Sequence, residues 1–245
     1  IICLICGILL LIFGFFGSRP LLRLLNTKPE LLDKATLYMQ IYFCGMPALA
    51  LYNFGNAVYS AIGNTKKPLY YLLFSGIVNV VLNLVFVIVC DLDVAGVALA
   101  SIISQYLSAI FLTAALFRSR EIYGLSPKLL RLHRKNCREI LTLGIPAGLQ
   151  NAIFYIANMF IQAGVNSFDT VMVAGNSAAA NADGLVYDVM AAFYTACSSF
   201  IGLNYGAGRR REIRRSYLIC LGYSFGVGAI LGFSLVAFGP TFLTL

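Results

Sequence analysis

Seven apolar runs, at about residues 1–16, 36–62, 69–90, 94–117, 140–165, 171–205 and 216–239, follow one another almost end to end with short polar breaks between them. A helix needs ~20 apolar residues to cross the hydrocarbon of a bilayer, and nearly all of these runs reach that length. Inside hydrocarbon the backbone must satisfy its own hydrogen bonds, which leaves helices or closed barrels. The runs lack the shorter alternating pattern of a barrel strand. The sequence therefore predicts an all-α integral membrane protein, a polytopic bundle of about seven transmembrane helices. A composition of 60% hydrophobic and 11% charged residues, with mean hydropathy +0.83, excludes an ordinary water-soluble domain. The chain opens on an apolar run without Met or a charged leader, which suits a truncated start better than a signal peptide.

The formal charge of +8 is read by position. Segments 62–68, 118–138 and 206–215 hold Lys66, Lys67, Arg118, Arg120, Lys128, Arg131, Arg134, Lys135, Arg138, Arg209, Arg210, Arg211, Arg214 and Arg215, against Arg19, Arg23, Lys28 and Lys34 in 17–35 and none at 91–93 or 166–170. The positive-inside rule places the first three segments in the cytoplasm. The charge thus marks topology, and no nucleic-acid partner is expected. The longest polar stretch, 118–138, separates four helices (1–117) from three (139–245) and reads as a basic linker. Its Leu125, Leu129 and Leu132 suit either an amphipathic helix on an anionic leaflet or a solvated loop. A lag of 220 residues aligns Leu11 with Leu231, Phe13 with Phe233, Pro20 with Pro240 and Leu25 with Leu245, as a duplicated bundle would.

Cys3, Cys6, Cys44, Cys90, Cys137, Cys197 and Cys220 are odd in number and accompany a single histidine, His133, so neither a disulfide framework nor a zinc site is expected. No Gly-rich phosphate loop, nucleophile elbow or metal-ligand spacing is present. The sequence predicts no catalytic residue and no metal or cofactor.

Polar residues in hydrocarbon are costly and should face a cavity or a neighbouring helix. Asn151, Tyr155, Asn158 and Gln162 recur at spacings of 4, 3 and 4, one stripe along a helix; Asn176, Asp183, Tyr187, Tyr194 and Ser198 form a second. Shorter sets are Ser75, Asn79 and Asn83, then Ser101, Ser104, Gln105 and Ser108, and the aromatic Tyr38, Tyr42, Tyr52, Asn56 and Tyr59. Of ten acids only Asp183 and Asp188 fall within a span, and only Asp183 lies on a stripe. Two roles are open for each such residue, hydrogen bonding between helices or lining a wet cavity whose tyrosine faces attract cations. The cavity candidates are Asp183, Tyr187, Tyr194, Asn151, Tyr155, Asn158, Gln162, Asn79 and Asn83.

The loops also carry a resemblance. Gly63-Asn64-Thr65-Lys66-Lys67-Pro68, Asn79-x-x-Leu82-Asn83, Val94-Ala95-Gly96-Val97-Ala98-Leu99-Ala100, Leu143-Gly144-Ile145-Pro146 and Asn204-Tyr205-Gly206-Ala207-Gly208 occur in the order found in the multidrug and toxic compound extrusion (MATE) family, which the whole chain resembles. In physical terms Gly63 and Gly206–Gly208 end helices, and Pro146 suits a helix start. The resemblance implies an antiporter of two six-helix lobes, with this chain matching the third to ninth helices. It implies a small-molecule substrate, an organic cation, drug or toxic metabolite, exchanged for protons or sodium ions in a cell membrane, with a bacterial inner membrane as the setting and no obligate protein partner. Some members carry a Glu shortly after the L-G-x-P motif, where this chain has Phe154. A lipid-linked oligosaccharide flippase and a seven-helix receptor are the alternatives.

Overall fold

The computed structural model describes residues 1–24, 29–165 and 168–243; the sequence-level assignments to Leu25, Lys28 and Leu245 fall outside them. Eight α-helices follow in order: α1 (Ile2–Leu24), α2 (Pro29–Cys44), α3 (Met46–Ala61), α4 (Lys66–Leu84), α5 (Asp93–Arg118), α6 (Arg134–Val165), α7 (Thr170–Gly206) and α8 (Arg210–Leu243). No strand occurs among the described residues. Among the described residues six helical stretches are long and apolar enough to cross a membrane, and the protein is a multi-pass membrane protein.

Three expectations are corrected. The run 36–62 is two 16-residue helices, not one. Gly45 interrupts the ladder and Pro47, at the start of α3, has no N–H with which to continue it. Several helices also extend past their apolar runs: residues 17–24 continue α1, and the charged segments 134–139 and 210–215 open α6 and α8. Arg, Lys and Glu are good helix formers, so a hydropathy edge stops short of the helix edge. As a result Pro146 lies inside α6 and not at its start.

The chain divides into two compact units, Ile1–His133 and Arg134–Leu245, a boundary that falls inside 118–138. In unit 1, helices α1, α2, α3 and α5 pack on one another and α4 packs on α5. The buried positions are mostly small: Gly7, Gly14 and Ser18 on α1, Ala48 and Gly55 on α3, Gly96, Ala98, Ala100, Ser104, Ser108 and Ala109 on α5. Lipid supplies no hydrophobic drive between helices, so close backbone approach and dispersion must hold them together. The large apolar side chains point outward instead, among them Phe13, Phe16, Ile88 and Val89. A Cβ at Gly7 would stand 2.8 Å from the Cα of Pro47, a backbone atom that cannot swing aside. Gly7→Val is expected to cost about 1–3 kcal/mol, the range for overpacking, read as a lower thermal midpoint in detergent; an unchanged midpoint would mean that α1 and α3 do not meet there.

One end of unit 1 is closed by charge. Arg19 Nη2 of α1 lies 3.1 Å from Asp33 Oδ1 of α2, and Lys34 Nζ lies 2.6 Å from Asp93 Oδ2 at the start of α5. The bond and charge of Asp93 hold the Lys34 ammonium above its ordinary range, so the contact is intact at neutral pH and fades only as pH climbs through that raised value. The other end is closed by rings. Tyr59, Leu112 and Leu116 form a buried cluster, Tyr123 meets Tyr59 edge-on at 5.9 Å, and Lys67 Nζ sits 5.8 Å from the Tyr59 ring centre. Leu125 packs on the same cluster, and its N–H donates to the Leu116 carbonyl at 3.0 Å. The stretch 119–133 holds only a short 3-10 turn, Pro127–Leu129. The amphipathic helix considered for 118–138 is therefore absent: its first part folds back on unit 1 and its last part opens α6.

In unit 2, α7 and α8 pack along their length. Asp169 caps α7, its Oδ1 accepting from Met172 N at 2.8 Å, and the turn to α8 passes through Gly208 at φ +71°, a left-handed conformation that glycine adopts without strain. Gly63 does the same after α3 at φ +76°. From the charge pattern, single cysteines at 64, 128 and 210 are expected to react with impermeant reagents only from the cytoplasm, and one at 92 only from outside. Labelling of 128 from outside would reverse the assigned orientation.

Candidate functional site

The structure assembles the polar cluster that bears on Asn79 and Asn83. These residues are one turn apart on α4, and α4 packs against α5. Asn83 Nδ2 donates to Asn79 Oδ1 at 3.0 Å, Asn79 Nδ2 reaches Ser104 Oγ on α5 at 3.3 Å, and Ser104 Oγ donates to the Ser101 carbonyl at 2.8 Å. The chain of bonds leaves acceptors over. Asn83 Oδ1, Gln105 Oε1 and Ser75 Oγ are buried without a partner among the described residues, which in an apolar interior costs about 1–3 kcal/mol each. Directly after Asn83 the helix widens into a π turn at Val85–Val89, a form often found at functional sites.

Gln105 belongs to the break between α2 and α3. A Cβ at Gly45 would fall on its Oε1, and the neighbouring Tyr106 hydroxyl donates to the Cys44 carbonyl at 2.9 Å. Residues 105 and 106 of α5 thus support the bend from one side, and Ser104 and Gln105 join the site beside the two asparagines. Their signal in the sequence was the polar set 101, 104, 105 and 108. The tyrosines of the second apolar run divide. Tyr38 and Tyr42 stack at 6.0 Å, whereas Tyr59 is fully buried in the ring cluster.

In unit 2 the candidates are placed but not joined. Asn151, Tyr155, Asn158 and Gln162 all stand on exposed positions of α6, and Asn158 Nδ2 donates to the Phe154 carbonyl of its own helix at 3.1 Å. On α7, Asp183, Tyr187 and Tyr194 are exposed, and no hydrogen bond or ion pair is made by Asp183 among the described residues. Asp183, Met190 and Cys197 recur every seven residues, a face that drifts only ~20° per heptad. Met190 packs at Gly228 of α8, and Cys197 stands beside Cys220, so Asp183 lies on the side of α7 that looks toward α8. Asp188, five residues on, is turned about 140° from it. The helix-to-helix bond considered for Asp183 is therefore not made by the described residues.

A helical bundle packed on small residues, with its large apolar side chains facing outward, is that of a polytopic membrane protein. The MatE family profile matches residues 1–85 and 146–245, and the chain belongs to this family. It is 33% identical over 200 residues to the "Probable multidrug resistance protein YpnP" of Bacillus subtilis (strain 168), covering 82% of this chain and 44% of the relative. It is 28% identical over 214 residues to the "FAD transporter" of Shewanella oneidensis, covering 85% and 47%. A crystal structure of MATE in complex with MaL6 superposes with a TM-score of 0.89 at 21% identity, covering 98% of this chain and 54% of that one, a likeness of fold. The chain spans about half the length of the relatives it matches. Family membership removes the seven-helix receptor from the alternatives.

Proposed function

We propose that the full gene product is a secondary active efflux transporter that exports organic cations, drugs or toxic metabolites by antiport with protons or sodium ions, by alternating access between two lobes. In this reading residues 1–117 are the last four spans of the first lobe, with α2 and α3 together making one of them, 118–138 the cytoplasmic linker and 139–245 the first three helices of the second. The observation that carries it is the pair of buried amide oxygens without a partner, Asn83 Oδ1 and Gln105 Oε1. An acceptor buried in a span is costly unless a donor or cation reaches it, and a substrate or coupling ion that visits and leaves is such a group. Asp183, Tyr187 and Tyr194 on α7, with Asn151, Tyr155, Asn158 and Gln162 on α6, supply the polar faces of the second lobe. A flippase for pyrophosphate-linked sugars would call for basic residues within its spans, whereas the arginines and lysines here lie in the loops and the helix ends beside them.

The test is transport by the full gene product in everted membrane vesicles. Imposed proton and sodium gradients are applied in turn, with a panel of cationic dyes and, because one relative is named for FAD, a flavin dinucleotide. Dye accumulation driven by one of the gradients is the expected result. Uptake indifferent to both gradients, with the protein present in the membrane, would refute antiport.

A further inference from the structure

The α7–α8 hairpin brings together two thiols that neither the polar cluster nor the Asp183 stripe uses. Cys197 lies nine residues before the end of α7 at Gly206, and Cys220 lies ten residues after the start of α8 at Arg210. At a rise of 1.5 Å per residue both stand roughly 14–15 Å from the turn. A second contact gives the same register: a Cβ at Gly228 would meet the Met190 sulfur at 3.3 Å, two residues whose positions are likewise balanced about the turn. The Cys197 and Cys220 side chains line one cavity of about 170 Å³ with Met190, Phe193, Tyr194, Leu221 and Ser224. Both are free thiols and half-buried.

We propose that Cys197 and Cys220 form a two-thiolate site for a soft monovalent cation, with Cu(I) as its ligand. The donor set selects the metal. A structural zinc takes four ligands, and the residues around this cavity offer neither imidazole nor carboxylate to complete them. Two thiolates, with the Met190 thioether also on the cavity wall, suit a soft, low-coordinate ion. Both thiols are free and form no disulfide, and two metal–sulfur bonds, each about 2.3 Å on the zinc–thiolate scale, span a gap wider than a disulfide's ~2.05 Å. On binding, two S–H bonds break, two Cu–S bonds form, two protons leave to solvent and copper remains Cu(I). The bis-thiolate product carries one net negative charge. This site is independent of the export reading.

The experiment is an anaerobic titration of the purified protein in detergent with the Cu(I)–bicinchoninate complex, in a background where Cys3, Cys6, Cys44, Cys90 and Cys137 are Ser. The expected result is withdrawal of one Cu(I) per chain from the chelator, with X-ray absorption showing two sulfur neighbours per copper. Cys197→Ser and Cys220→Ser should each weaken binding roughly 100-fold or more, the top of the range that loss of even an outer-shell partner costs. Where a Ser variant fails to fold by gel filtration, reversible methylthio capping of the two thiols in the folded protein gives the same comparison. Retention of Cu(I) within about threefold after either change, or no withdrawal of copper by the parent protein, would overturn the site.

Discussion

Replacing Asp183 by Asn in the full gene product is expected to abolish ion-driven export while leaving folding and membrane insertion normal, and Asp188→Asn is expected to keep export. An ionised carboxylate at mid-depth costs about 2.5–3.5 kcal/mol on insertion scales, so a chain retains one there only if it is neutralised, paired or wet. Asp183 has no partner among the described residues, lies on the α8-facing side of α7 and is exposed. On the proposed reading that carboxylate is open to the ion or cationic substrate that an antiporter exchanges. Asp188, turned about 140° away, has no polar stripe around it. Export is read in everted vesicles at matched expression. Full export by the Asp183→Asn protein would assign the carboxylate no role in coupling.

The helical class was legible because hydropathy over ~20 residues is a local quantity, and because each polar set on α4, α5, α6 and α7 repeats at the helical period; of the seven runs, six coincide with stretches long and apolar enough to cross among the described residues, and 36–62 is broken at Gly45. Breaks and partners were not. Gly45 lies in the middle of an apolar run, and what makes it a break is Pro47 after it together with Gln105 and Tyr106 pressing from α5 sixty residues away. Pro146 gave the opposite error: a proline at the edge of the apolar run looks like a helix start, yet the charged residues before it continue the helix. Asn79 and Asn83 could be placed on one face from spacing alone, but their junction with Ser104 depends on how α4 meets α5. The same holds for Cys197 and Cys220. Counted along the sequence they belong to an unpaired set of seven thiols, and only the register of the α7–α8 hairpin makes them neighbours.

Asn79 and Asn83 should separate when stability and transport are measured together. Asn79 is the middle of the bonded chain: its amide reaches Ser104 at 3.3 Å and its oxygen accepts from Asn83 at 3.0 Å. Asn79→Leu strands the Asn83 amide and removes the bond between α4 and α5, at a cost of about 1–3 kcal/mol for a buried group left unsatisfied. Asn83→Leu leaves the Asn79 oxygen without its donor, but it also removes an oxygen that already lacked a partner among the described residues, so the number of unpaired acceptors is unchanged. Interhelical hydrogen bonds within membranes average only about 0.6 kcal/mol, so the stranded group decides the order. The thermal midpoint in detergent is expected to fall clearly for Asn79→Leu and little for Asn83→Leu. Export is expected to fall to background in both, because on the proposed reading Asn83 Oδ1 is the acceptor offered to the passing ion or substrate. An Asn83→Leu protein that melts like the parent and exports like it would reduce the cluster to a structural bond between α4 and α5.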